Sequence, residues 1–264
     1  MDNNCHIQME QSFAHVPIKQ SKPVFLDKLR KICVHINTEL NTLNSKLYKR
    51  FLYLRDQAFF KLQFFAGDRA HDLSLCVAQE VKKLPDGKGL LFCHTVGKTL
   101  KNGKVNEFVV KKLNEEVLCP VEGLYRYVNN VGVMDIDVTK GFLFRALDAS
   151  RTKVLESPVS SSGMSERLQN YLIELNIFEG ETPHGIRGGC AITLMSTGVA
   201  SCQGIMDHVG WLQKDTCNRY SRVNQLVDST SVSSLFAKVA DADFVKTHEI
   251  SDKLGNVTSL DQAF

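Results

Sequence analysis

The hydrophobic period changes twice along this chain, and those changes restrict the folds open to it. From Val24 to Leu43 and from Leu54 to Ala66 the pattern is helical. In the second run Ala58, Leu62 and Phe65 share a face, and Gly67 offers a C-terminal stop. The texture then shifts: residues 75–82, 89–96 and 105–110 are short and rich in branched or aromatic side chains. Pro85-Asp86-Gly87 and Asn102-Gly103, both good turn formers, separate them, which predicts an antiparallel sheet of two or three strands. From Pro120 onward the helical period returns, with helices expected at 120–131, 163–176, 184–197, 201–209, 215–226 and 231–242.

Several boundaries carry a mechanism. Thr182 offers a capping hydroxyl ahead of Pro183, which suits the first helical position, and Asp215 is placed to cap the helix of Tyr220. Gly198 and Gly210 stand where C-terminal caps belong. The expected fold is mainly α with a small antiparallel β-sheet. It has a polar leader or linker over residues 1–23, one main domain over 24–243 and a C-terminal tail over 244–264.

Bulk properties exclude several classes. A chain of 264 residues, 43% hydrophobic, can bury a proper core. The charge balance, 32 basic against 29 acidic residues, is mildly basic and leaves nucleic acid open as a partner. The eight cysteines are scattered with no Cys-x-x-Cys pair, which argues against a zinc ribbon and for reduced core thiols. No apolar run approaches the length needed to cross a bilayer, and no signal peptide is evident, so a soluble intracellular protein is expected.

Some residue types recur in a suggestive order. Arg69 follows the second helical run in Gly67-Asp68-Arg69-Ala70-His71-Asp72-Leu73. Lys98 lies in Val96-Gly97-Lys98-Thr99-Leu100, at the bend between two strands. His184 and Arg187 open a helix as His-Gly-Ile-Arg, and the i, i+3 spacing puts them on one face. Trp211 follows Gly210, and Tyr220 comes nine positions later. This set would suffice for phosphodiester transfer without a metal. Rigid cations meet the charge on the non-bridging oxygens, a nucleophile attacks phosphorus, and a donor protonates the departing oxygen.

His-x-x-Arg, then Gly-Trp, then a tyrosine nine residues on, resembles the C-terminal signature of the tyrosine recombinase (phage integrase) family. The segment Gly67 to Leu73 resembles that family's first-arginine motif, with Asp72 as the acid three places after the arginine. The stretch Arg55 to Phe65 and the phrase His94 to Leu100 also resemble Crypton- and DIRS-like recombinases of eukaryotic mobile elements. The resemblance covers roughly residues 24–240 and identifies the main domain as a catalytic domain.

It implies a metal-independent enzyme that cuts and rejoins double-stranded DNA through a 3′-phosphotyrosyl bond, working as a homotetramer. Arg69 and Arg187 would clamp the scissile phosphate. His184 would hydrogen-bond it and assist proton transfer, and Trp211 would add an indole donor. Lys98 would protonate the 5′-hydroxyl, and Tyr220 would be the nucleophile. No metal, nucleotide or small-molecule cofactor and no membrane is implied, and residence in the nucleus follows from the eukaryotic elements.

Each residue also has a plainer reading. Trp211 and Tyr220 suit core packing, and Arg69 suits a surface ion pair with Asp68 or Asp72. The hairpin that presents Lys98 also carries Lys101 and Lys104, either of which could take its place or grip DNA phosphates. His71, His94 and His208 lack companion ligands at metal-binding spacing and read as satisfied or exposed side chains, and Cys190 reads as packing. Gly188 and Gly189 depart from bacterial relatives and are expected to loosen the helix, by about 1 kcal/mol each relative to alanine. The competing functions are a domesticated, non-cutting DNA-binding module, a type IB topoisomerase, and a helical scaffold in which the motif is fortuitous.

Overall fold

The computed structural model describes residues 21–42, 47–97, 100, 105–132, 136–197, 200–211, 214 and 217. The chain separates into two compact units, Met1–Lys214 and Asp215–Phe264. In the first, the described residues form α1 (Leu26–Thr42), α2 (Leu47–Ala66), α3 (Ala70–Ser74), β1 (Val81–Lys83), β2 (Gly89–His94), β3 (Asn106–Lys111), α4 (Pro120–Gly132), β4 (Arg145–Leu147), β5 (Val154–Pro158), α5 (Ser161–Glu174), α6 (Pro183–Ser196) and α7 (Cys202–Val209). This is the expected mainly helical architecture with a small antiparallel sheet. In the second unit the only described residue is Cys217. The helices expected at 215–226 and 231–242, and the cap at Asp215, fall outside the described residues.

Helix α2 is the spine. It starts at Leu47, two turns before the expected residue 54, and is buried on nearly every side, with Phe51, Leu54, Ala58, Phe59, Phe60 and Leu62 in the core. A helix buried all round must also satisfy its polar side chains. Asp56 accepts from Arg55 (3.0 and 2.7 Å), Arg167 Nε (2.5 Å) and the Tyr171 hydroxyl (2.9 Å). Gln57 donates to the Cys33 carbonyl, and Gln63 donates to the Pro183 carbonyl at 2.9 Å. That last bond ties α2 to the first residue of α6.

The first sheet runs β1-β2-β3, antiparallel throughout, with Leu90 opposite Val110, Phe92 opposite Phe108 and His94 opposite Asn106. The pleat sends Leu90, Phe92 and His94 inward together, and the rings of Phe92 and Phe108 stack at 5.1 Å. The strand expected at 75–82 is largely replaced. Val77 makes one bridge to Phe142, Ala78–Glu80 form a 3₁₀ turn, and only Val81–Lys83 pair as a strand. Glu80 explains the change, because its carboxylate accepts the Val77 and Thr95 amides at 3.3 and 2.9 Å and so closes a turn. A second hairpin, β4–β5, was not anticipated.

Residues 21–25 pack along α6. Val24 N–H donates to the Gly185 carbonyl at 2.9 Å, Lys22 bridges Glu181, and the Ser21 hydroxyl meets the Thr182 hydroxyl at 2.6 Å. Thr182 therefore spends its hydroxyl on this strap and makes no cap bond, while Pro183 does occupy the first turn as expected. A Cβ on Gly185 would lie 2.1 Å from the Lys22 carbonyl oxygen, and one on Gly189 would lie 1.8 Å from that of Val24. These glycines admit the strap. The pairing of Lys28 with Glu181 fastens the same corner.

Cys33, Cys76, Cys93, Cys119 and Cys190 are free thiols. Cys202 and Cys217 are each disulfide-bonded, which departs from the expectation of reduced thiols throughout. No helix among the described residues is long and apolar enough to cross a membrane.

Candidate active site

The site forms where α2 ends. Gly67 adopts φ +60°, the left-handed conformation that a stop after a helix favours, and sits against Val209 of α7 and Cys190 of α6. A Cβ there would fall 2.3 Å from Val209 Cγ1. The chain then passes through Asp68 to Arg69, whose extended backbone begins α3. The Arg69 guanidinium donates from Nη1 to Asp72 Oδ2 at 3.2 Å, with about a quarter of its side chain exposed (26%). The acid three residues along thus pairs with the arginine, the contact that the plainer reading of Arg69 also expected.

Arg187 reaches the same loop from α6. It is 2% exposed, and its Nη1 donates to the Gly67 carbonyl at 2.8 Å, two residues before Arg69. Its guanidinium carbon lies 5.8 Å from the centre of the Trp211 ring. Trp211 is placed by a well-formed stop to α7: Gly210 is left-handed at φ 66°, ψ 44°, and the Trp211 amide donates to the Met206 carbonyl at 2.8 Å. His208, on the last turn of α7, bonds the Phe65 carbonyl through Nε2 at 2.8 Å and pins that helix to the end of α2.

The structure therefore brings Arg69, Arg187 and Trp211 to one corner. His184 stands one turn before Arg187 in the opening turn of α6 and is exposed. Lys98, Lys101, Lys104 and Tyr220 lie outside the described residues. A small cleft at this corner is lined by Asp68, Arg69, Asp72, His94, Val96, Gly97, Leu100, Asn106, Val209 and Gly210. It joins the arginine loop to the end of the β2–β3 hairpin. A larger depression beside β4 and β5 contains none of the candidate residues.

Two members of this cleft were not anticipated as a pair. His94 and Asp68 are both buried, with His94 Nδ1 3.3 Å from Asp68 Oδ2. Burial pushes the Asp68 carboxyl above the usual aspartate range, partly opposed by His94. His94 had read as satisfied or exposed, yet its Nε2 is buried without a hydrogen-bond partner. The i, i+2 alternation of Leu90, Phe92 and His94 was the signal for its burial. His71 is exposed, as expected. Burial raises the Cys190 thiol to about 12, which suits packing beside Gly67. No cluster of metal-ligating side chains occurs among the described residues.

No family model and no curated protein matches this chain. Solved structures do. The XerH site-specific recombinase bound to palindromic difH substrate superposes with a TM-score of 0.58 at 11% identity, over 81% of this chain and 53% of that one. XerA recombinase gives 0.54 at 13% identity, over 84% and 65%. The Tn1549 transposon integrase in complex with transposon right end DNA gives 0.53 at 12% identity, over 86% and 67%. The chain thus has the tyrosine recombinase catalytic-domain fold, and it spans about half the length of XerH.

Proposed function

We propose that this chain is a DNA strand transferase of the tyrosine recombinase kind, acting on double-stranded DNA in recombination or integration. The observation that carries this reading is the convergence of Arg69 and Arg187. They are 118 positions apart in the sequence (187 − 69), yet Arg187 hydrogen-bonds the Gly67 carbonyl two residues from Arg69. A guanidinium shielded from water and fastened two residues from a second arginine supports a cationic clamp of the kind a phosphorane-like transition state needs. Low local polarity strengthens that field.

In the proposed reaction the Tyr220 oxygen attacks phosphorus and forms a 3′-phosphotyrosyl bond as the bond to the 5′ oxygen breaks. Arg69 and Arg187 hold the non-bridging oxygens, with the Trp211 indole N–H as a further donor, while His184 hydrogen-bonds the phosphate and assists transfer of the proton that the Tyr220 hydroxyl releases. Lys98 delivers a proton to the 5′ oxygen, while Lys101 and Lys104 grip flanking phosphates. Energy is retained in the covalent bond, so the scheme has no step for a metal or nucleotide. The reading includes a homotetramer on DNA, residence in the nucleus and origin in a transposable element, and it places the catalytic domain over residues 24–243.

The test uses a pool of nicked duplexes of randomised sequence, which trap covalent adducts because the cut 5′ end diffuses away. An adduct that survives denaturation in the wild type and is lost in Tyr220→Phe supports the reading. Salt-sensitive DNA binding with no adduct would assign the non-cutting module instead, and absence of binding would overturn both.

A further inference from the structure

Strand β2 ends on a histidine sealed inside the protein. His94 is 2% exposed, lies edge-on to Phe108 at 5.2 Å, and faces Asn106 across the sheet. Its Nδ1 lies 3.3 Å from Asp68 Oδ2, an ion-pair distance, and that oxygen is buried without a hydrogen-bond partner. The other Asp68 oxygen accepts the backbone N–H of Arg69 at 2.7 Å. One buried carboxylate thus spans the strand end and the first arginine of the site. The cleft shared by His94, Arg69, Asp72 and Gly97 is where the two meet.

The arrangement has a cost that packing alone would not require. A histidine buried beside an aspartate, with Nε2 unbonded, is a polar group that an apolar side chain could replace in the same place beside the Phe92–Phe108 stack. What an apolar side chain could not do is face the carboxylate. Without His94, Asp68 would keep the Arg69 amide on Oδ1 but lose the ring whose charge opposes the effect of its burial, and burial would favour its neutral or rotated form.

We propose that His94 is a positioning residue for strand transfer, acting through Asp68 to hold the backbone of Arg69 against the end of β2. The inference rests on the strand-transfer reading for its functional half, and on the geometry of the loop for its structural half. His94 and Asp68 do not touch the phosphate. They set where Arg69 begins, and the same histidine stands four positions before Lys98 in the sequence. The pair therefore registers the hairpin against the arginine loop.

Two readouts on the full chain test it. Amide hydrogen exchange at Arg69 reports the Asp68 bond, with the Leu73 amide, which donates to the Arg69 carbonyl at 2.9 Å, as a control inside α3. Adduct formation on the randomised nicked duplexes reports the chemistry. In His94→Leu, Arg69 should exchange at least tenfold faster while Leu73 is unchanged. Adducts should form at least tenfold more slowly at unchanged DNA affinity, and His94→Gln, which keeps a side-chain N–H, should recover most of both. Wild-type exchange at Arg69 in a folded His94→Leu protein would overturn the proposal, as would equal loss in the leucine and glutamine variants. Should His94→Leu not fold, Asp68→Ala, which removes the oxygen that accepts the Arg69 amide, supplies the same two readouts with the same expectations. Faster Arg69 exchange in a protein whose wild type forms no adduct would leave the positioning standing and remove the strand-transfer reading.

Discussion

Arg187 Nη1 donates to the carbonyl oxygen of Gly67 at 2.8 Å, so a helix-borne cation is fastened to the backbone that introduces Arg69. The bond is to a main-chain atom and not to a side chain of the loop. Its geometry depends on Gly67 keeping its left-handed turn between Val209 and Cys190.

Arg187→Ala should therefore cost both stability and chemistry. Adduct formation on nicked duplexes should fall by about 10²-fold or more through lost charge stabilisation. Arg187→Lys keeps a charge but not the planar fork and should recover only a small part of that loss. A change of less than about tenfold in the alanine variant would contradict the clamp.

Gly189→Ala separates two opposed effects. Helix propensity alone favours alanine by about 1 kcal/mol. The Val24 carbonyl oxygen, 1.8 Å from the new Cβ, cannot remain where it is, and overpacking of this kind costs about 1–3 kcal/mol. Net destabilisation in urea unfolding is expected. A stabilised variant would mean that residues 21–25 leave α6 at little cost.

Asp56 gives the pH dependence. Burial alone would raise its carboxyl, but Arg55 and Arg167 outweigh burial and hold it below the ordinary aspartate value. A depressed folded-state pKa contributes stability above the unfolded value, about 3.9 for aspartate, and loses it as pH falls through the folded value. Asp56→Asn should be destabilised at neutral pH by about 3–5 kcal/mol, because two arginines lose their buried counter-charge. It should also unfold with a shallower acid dependence than the wild type. Parallel acid-unfolding curves would remove Asp56 as the source.

Salt should weaken DNA binding steeply if phosphates are the main contacts. The logarithm of affinity should fall linearly with that of salt, by at least about tenfold between roughly 50 and 200 mM. Lys101→Ala and Lys104→Ala should each flatten the slope by about one contact. A flat response would contradict DNA as the ligand.

Much of this was legible because the signals are periodic or ordered. Strands β2 and β3, and helices α4 to α7, follow from hydrophobic spacing, and the convergence of Arg69 with Arg187 follows from the order of the motifs. What escaped prediction depends on side chains folding back on the backbone. Glu80 turns most of an expected strand into a 3₁₀ turn. Hairpin β4–β5 closes without a glycine turn, because Asp148 collects the amides of Thr152 and Lys153 at 2.8 and 2.9 Å; the Ser150 hydroxyl first, and then these amides, depress its carboxyl to about 2. The pairing of Asp68 with His94 is between residues 26 positions apart (94 − 68), and only the pleat reveals which way the histidine faces.

The strap along α6 meets its helix through carbonyl oxygens and glycine Cα positions, and this gives it an unusual tolerance profile. Substitutions at Lys22 leave the main-chain contact intact, whereas inserting or deleting one residue between Ser21 and Val24 moves both carbonyls out of step with Gly185 and Gly189 at once. Segment length there is fixed more tightly than composition. Among diverging chains of this fold, two glycines four apart around His-x-x-Arg would then mark an invariant spacing upstream, even where no other residue of the segment is shared.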